Sequence, residues 1–201
     1  MITDLNAAKL CQAVYTGPSA SWDKWLEVDG VAAGIMQDRV STTIAFRGSA
    51  NVEDWLRDLD EFPEEHPILG HVHSGFLEGM DAFYGDLRPF LNGKVYITGH
   101  SLGAAHACIL AGLMREYPLI ERVVLFGCPR PGFAHLKRLV TAVCGSIASY
   151  RNRSDPVPEV PYLLGLYQHV VEPTQLMSPT DPFNPALEHS IDLYVQALQR
   201  G

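Results

Sequence analysis

The pentapeptide Gly99-His100-Ser101-Leu102-Gly103 is the stretch of this sequence best suited to covalent chemistry. A serine that attacks a carbonyl from the edge of a sheet must sit on a sharp strand-to-helix turn. The residues two before and two after it then approach so closely that a Cβ would clash, and both are glycine here. Ala104, Ala105 and Ala107 keep the following helix slim enough to pack closely. The bare pattern arises easily by chance in a chain with 17 glycines, so its context carries the reading. A short apolar strand runs up to Thr98, and a long helix follows.

A serine hydroxyl needs a base, and the base needs an acid to orient it. On such a turn the chain order is serine, acid, histidine. Four histidines follow Ser101. His106 lies one turn along the same helix and points away. His135 stands beside Lys137 and Arg138 and reads as solvated, and His169 falls in an apolar segment where a local hydrogen bond suffices. His189, just ahead of Ile191-Asp192-Leu193-Tyr194-Val195, is the candidate base. Asp155 follows a strand and precedes Pro156-Val157-Pro158, which stiffens its loop, so it is the candidate acid. Asp181 is the rival, in a Ser178-Pro179-Thr180-Asp181-Pro182 turn that reads as an ordinary Asx turn. The developing oxyanion needs two donors: the backbone N–H of Leu102, and one from Phe46-Arg47-Gly48-Ser49, where Ser49 is the candidate. This chemistry calls for no cofactor.

The elements that must hold these residues follow from hydrophobic periodicity. Thr3 to Val14 reads as a capped helix ended by Gly17-Pro18. Val31 to Met36 and Thr43 to Phe46 read as strands joined by a polar turn. Val52 to Leu59 has the spacing of a short amphipathic helix, Glu61 to Pro67 reads as a loop, and Val72 ends a short strand. Gly75 to Phe90 reads as helical. Beyond it, short apolar strands (94–98, 122–126, 146–150) alternate with helices (101–117, 133–143), and Pro185 to Leu198 closes the chain as a helix. Leu163 to Val171 reads as a further strand. The alternation predicts an α/β domain over residues 1–201, with a mostly parallel central sheet covered by helices.

Composition excludes several functions. Fifteen basic against 23 acidic residues leave a net charge of −8, which repels nucleic acid and anionic head groups. No apolar run approaches the ~20 residues of a membrane span. Cys11, Cys108, Cys128 and Cys144 lie among apolar residues with no CxxC spacing and read as buried free thiols. The start, Met1-Ile2-Thr3-Asp4, lacks a basic, apolar leader, which together with the thiols points to the cytoplasm, with the mature form of a secreted protein as the alternative. His71-Val72-His73 invites a metal reading, but no third ligand follows at suitable spacing. Arg47 is expected to pair with Asp54 or Asp58.

Taken in order, Phe46-Arg47-Gly48-Ser49, Val52-Glu53-Asp54-Trp55-Leu56, Val72-His73-Ser74-Gly75-Phe76, the serine turn, Phe126-Gly127-Cys128-Pro129-Arg130-Pro131-Gly132, Asp155-Pro156-Val157-Pro158 and the late His189 resemble the fungal-type (class three) lipase family. The resemblance implies an α/β-hydrolase fold and hydrolysis of acylglycerols or related carboxylic esters. It implies Ser101, Asp155 and His189 as the triad, with Ser49 and Leu102 at the oxyanion hole. It also implies a short lid in the stretch after Ser49 and His73 as a neighbour of the site. Trp55 and Leu56 would then either insert transiently into a lipid interface or pack on the body. The same triad could serve a phospholipase, a thioesterase or an acyltransferase, and a silent lipid-binding module would keep the fold alone. A thin lid favours short or medium acyl chains or single-chain lipids.

Overall fold

The computed structural model describes residues 2–49, 51, 62–118, 120–179 and 185–200. Helix α1 (Asp4–Val14) starts where the Thr3 hydroxyl accepts the Asn6 N–H at 3.2 Å. It buries Ala7, Ala8, Cys11 and Val14, one helical stripe. Strands β1 (Lys24–Val28) and β2 (Val31–Gln37) form a hairpin through Asp29-Gly30, both at positive φ (47° and 83°). An Asp-Gly pair suits such a two-residue turn because its twist matches that of the strands. Strand β3 (Ser41–Phe46) returns antiparallel to β2 across the expected polar turn.

Pro63–His66, expected as a loop, is strand β4, paired with β5 (Gly70–His73) in a separate two-stranded sheet. The acidic side chains of β4 face solvent, so it lacks the apolar alternation that would announce a strand. The helical reading of 75–90 resolves into α2 (Ser74–Leu77), α3 (Met80–Leu87) and a 3₁₀ turn over Arg88–Phe90. Gly79, at φ 75°, breaks the first two apart.

Strands β6 (Lys94–His100), β7 (Ile120–Phe126), β8 (Ile147–Asn152) and β9 (Thr174–Leu176) run parallel to β3. The sheet order is β1-β2-β3-β6-β7-β8-β9. Leu163 to Val171 is not a strand: Leu163–Gly165 is a 3₁₀ turn, and Gln168 bridges Gly132 instead of joining the central sheet. Its apolar residues cover the loop after β7, which mimics the signature of a buried strand. Residues 52–60, including the expected amphipathic helix and lid, lie outside the described residues.

Two faces follow from the period of two along each strand. Ile44, Phe46, Ile97, Val123 and Leu125 meet α3, α4 (Leu102–Leu113) and α5 (Ala134–Val143) in the main core. Val124 and Phe126 point the other way, onto α1 and the terminal helix α7 (Ile191–Arg200), which follows the short α6 (Pro185–Glu188). Helix α4 buries nearly every residue, which explains its run of alanine and glycine. The architecture is an α/β-hydrolase fold with a mostly parallel sheet between helical layers. Among the described residues, no helix is long and apolar enough to cross a membrane.

Candidate active site

The C-terminal ends of the parallel strands share one edge of the sheet, and the candidate residues gather there. Strand β6 ends at His100, and Ser101 takes φ 58°, ψ −131° before α4 begins. A serine tolerates this conformation only where its surroundings impose it. A Cβ at Gly99 would stand 2.1 Å from the Gly103 carbonyl oxygen, and one at Gly103 would stand 2.6 Å from the Phe46 oxygen. The steric requirement read from the sequence is thus visible in the turn itself. The Ser101 N–H donates to Phe126 O at 3.0 Å, tying the turn to β7. The Leu102 N–H is among those that a helix start leaves without an intrahelical carbonyl.

The turn after β3 presses onto this point. A Cβ at Gly48 would lie 2.6 Å from His100 O and 3.2 Å from the Ser101 Cβ. Ser49 follows immediately, its hydroxyl donating to Asn51 O at 3.2 Å. Arg47 reaches Glu27 at 3.4 Å and lies over the Trp25 ring. Asp54 and Asp58, its expected partners, lie outside the described residues, as do Trp55, Leu56 and Asp181.

Asp155 stands just beyond β8, fully buried. The His189 Nδ1–H donates to its carboxylate, with distances of 2.8 and 3.0 Å to the two oxygens. The Val157 N–H adds a bond at 2.9 Å, and the Tyr194 hydroxyl donates to Oδ2. Burial alone would raise the Asp155 carboxyl; the bonds from His189, Tyr194 and Val157 and the nearby imidazole hold it below the usual carboxylate range. Gly127, at φ 52°, leaves room for this pair, since a Cβ there would come within 2.8 Å of His189 Cε1 and 2.9 Å of Asp155 Oδ2.

With Nδ1 committed to Asp155, His189 Nε2 is the free acceptor of the neutral ring. Both it and Ser101 Oγ are buried without a hydrogen-bond partner among the described residues. Catalytic hydrogen bonds often tighten only once substrate is bound.

Four residues to which the sequence assigned no role complete the frame. His100 donates from Nε2 to the His189 carbonyl at 2.7 Å, so its Nδ1 accepts from the Tyr15 hydroxyl at 2.8 Å. Burial, helped by the neighbouring His189, holds His100 down to about 3, so it is neutral. Tyr15 in turn packs on Gly48. Tyr194 bridges Asp155 and the Asn152 N–H. Glu188, fully buried beside His189, takes Asn152 Nδ2 at 2.9 Å and Arg153 Nε at 3.3 Å. His100 reads as a spacer within the pentapeptide and Tyr194 as a core position of an amphipathic helix, so their pattern carried no signal.

The other histidines take structural places. His106 is buried edge-on to Phe46, and burial lowers it to about 4. His135 is exposed and hydrogen-bonds Ile68 O. His73 is buried and stacks on Phe76, whereas His71 stacks on Phe133. Among the described residues no group of three or more His, Cys, Asp or Glu is placed to hold a metal. All four cysteines are free thiols.

Known proteins resemble this chain in sequence and fold. Residues 43–165 match the family model Lipase (class 3). The chain is 30% identical over 182 residues to secreted mono- and diacylglycerol lipase A of Penicillium camembertii, covering 83% of this chain and 59% of that one. It is 29% identical over 191 residues to a lipase of Rhizomucor miehei, covering 79% and 52%. Secreted mono- and diacylglycerol lipase 1 of Fusarium solani is 27% identical over 152 residues, covering 70% and 46%. This chain thus spans about half the length of the curated relatives it matches. Among solved structures, a triacylglycerol lipase described as having a serine protease triad at its catalytic centre superposes with a TM-score of 0.65 at 25% identity, over 88% of this chain and 77% of that one. The Rhizomucor miehei triacylglyceride lipase superposes with 0.66 at 21% identity, over 92% and 89%. Sequence match and fold agree, and the chain belongs to the class 3 lipase family.

Proposed function

We propose that this protein hydrolyses carboxylic esters of acylglycerols or related lipids, with Ser101 as nucleophile, His189 as base and Asp155 as the orienting acid. The observation that carries this reading is the His189 ring, pinned through Nδ1 to a buried carboxylate while its Nε2 and the strained Ser101 hydroxyl are both left unpaired among the described residues. Nε2 takes the Ser101 proton as Oγ bonds to the ester carbonyl carbon, and the resulting imidazolium is stabilised by Asp155. The oxyanion is met by the Leu102 N–H and by Ser49. The imidazolium then protonates the departing alcohol, leaving an acyl-serine. Water, deprotonated by the same nitrogen, releases the acid and restores Ser101. His73, which packs on Phe76 and Tyr167, is read as a neighbour of the site on the family resemblance.

The relatives supply the substrate class, since they are named as lipases acting on mono- and diacylglycerols or on triacylglycerols. Two are secreted enzymes, which favours an exported protein over the cytoplasmic location expected from the sequence.

The test is hydrolysis of p-nitrophenyl esters from acetate to palmitate by the wild type and by Ser101→Ala. Turnover that vanishes in the alanine variant supports the assignment, and equal turnover in both refutes it.

A further inference from the structure

Six large apolar side chains are exposed at one end of the molecule: Phe62, Tyr162, Leu164, Leu166, Met177 and Leu187. Met177 follows β9, Leu187 precedes His189, and the Tyr162–Leu166 turn is held beside the loop after β7 by the Arg130 N–H donating to Val160 O. Phe62 O accepts the Ser74 N–H next to β5, which bridges the same loop through Val72 and Gly132. All six therefore border the sheet edge that carries Ser101. The other exposed large apolar side chains among the described residues, Met36 and Val40, lie at the opposite end, where β3 begins.

The Tyr162–Leu166 turn is the most pronounced part of this surface. Buried Pro161 and buried Tyr167 anchor its two ends, and Tyr167 packs its ring on Phe133 and His73. Between them Gly165 N–H bonds Tyr162 O and Leu166 N–H bonds Leu163 O, so the tip is an ordered turn. Leu163 and Leu164 stand at φ 30° and 56°, a region that glycine or asparagine would enter at lower cost. Leu164 is 88% exposed and Leu166 47%. Leu164, held outward on strained backbone, and Leu166, exposed beside it, do not serve the core, and a folded domain gains nothing from them in water.

Resting on the reading that Ser101 cleaves lipid esters, we propose that Tyr162–Leu166 is a fixed anchor that inserts into an electrically neutral lipid surface and sets the serine edge against it. Residues 160–167 carry no charge, which matches a neutral surface. Glu159 is paired with Arg130 and Arg151 and Glu172 with Lys137, so the charges flanking the tip are largely balanced, while the chain's net charge of −8 disfavours an anionic surface. A five-residue tip cannot supply the roughly 800 Å² per partner of a stable protein interface, whereas a few apolar side chains suffice to hold a protein at a bilayer boundary.

The test separates docking from catalysis. Binding is measured by flotation with phosphatidylcholine vesicles containing diacylglycerol, using protein with Ser101→Ala so that the surface is not consumed. Leu164→Ser with Leu166→Ser should lower the partition coefficient about tenfold or more, and phosphatidylserine in the vesicles should weaken wild-type binding. With Ser101 restored, the double variant should keep wild-type kcat/KM on a dissolved short-chain ester and lose rate on the vesicles. Unchanged partitioning, or binding that strengthens with phosphatidylserine, overturns the proposal. So does a self-association that the double variant abolishes while neither protein floats. If no ester is hydrolysed but the flotation result holds, the catalytic reading fails and the docking surface stands.

Discussion

Gly127→Ala is the most discriminating single change, because this glycine touches both members of the acid–base pair. The added Cβ would stand 2.8 Å from His189 Cε1, and carbon atoms rest at about 3.5 Å or more. The ring must therefore recede by about 0.7 Å, taking a 2.8 Å hydrogen bond to Asp155 to the limit at which it still counts as one. A misplacement of about 1 Å at a reacting group costs roughly 100-fold in rate. The backbone adds a strain of about 1–2 kcal/mol, because φ 52° becomes unfavourable once a Cβ is present. The expected outcome is a kcat about 100-fold lower on a dissolved p-nitrophenyl ester, with little change in KM and a Tm lower by about 2–8 °C. Steady-state kinetics and a thermal melt on the same preparation provide both numbers. A kcat within threefold of the wild type, with the melt lowered as expected, would show that the rate does not depend on the observed His189 position, and the reasoning would fail.

Three further outcomes follow from the same geometry. Tyr194→Phe removes the hydroxyl that donates to Asp155 and accepts from Asn152 N–H, and should cost about 1–3 kcal/mol in urea unfolding while lowering kcat. Ser49→Ala should lower kcat by about 100- to 1,000-fold if its hydroxyl meets the oxyanion, with the melt unchanged; a rate within a few fold would remove Ser49 from that role. Stability should fall with acid. His100 and His106 are held neutral by burial, down to about 3 and about 4, whereas both titrate near 6.5 in the unfolded chain. Between these values the unfolded chain binds the extra protons, so the stabilisation is complete above about pH 6.5 and is lost as the pH drops, by on the order of 4 kcal/mol from about pH 7 to about pH 5. His106→Gln should remove about half of that slope in urea titrations, and an unchanged slope would assign the proton uptake to other groups.

The parts of the site that obey steric or ordering rules were legible in the residues. Gly99 and Gly103 announce the turn because no other residue fits it, and Asp155 and His189 follow from chain order and loop chemistry. What escaped depends on distance across the fold. His100 is neighbour to Ser101 in sequence, but its function is set by Tyr15, 85 residues away, and by the His189 carbonyl. Tyr194 has the spacing of a core residue, and only the closeness of β8 turns its hydroxyl to use. The first hairpin escaped for a different reason: Asp29-Gly30 does signal a tight turn, but the Lys24–Val28 strand before it is five residues long with one buried position, Leu26. The segment over 163–171 misled in the opposite direction, because its apolar residues cover a loop and stand outward at the site edge.

The contact that runs from Tyr15 through His100 to the His189 carbonyl bears on where this protein can be cut. The part recognisable as a class 3 lipase spans 43–165, yet Tyr15 lies well before it and His189 well after. The two flanks meet behind the serine: Cys11 on α1 touches Thr98 of β6, and Gln12 bonds Asp192 of α7 at 2.6 Å. The smallest excisable unit is therefore larger than the recognisable one. A chimera that swaps either flank alone would bring a foreign helix against a native one and leave His100 with a mismatched neighbour. Crossovers made as a matched pair, both flanks from one parent, would keep the site intact.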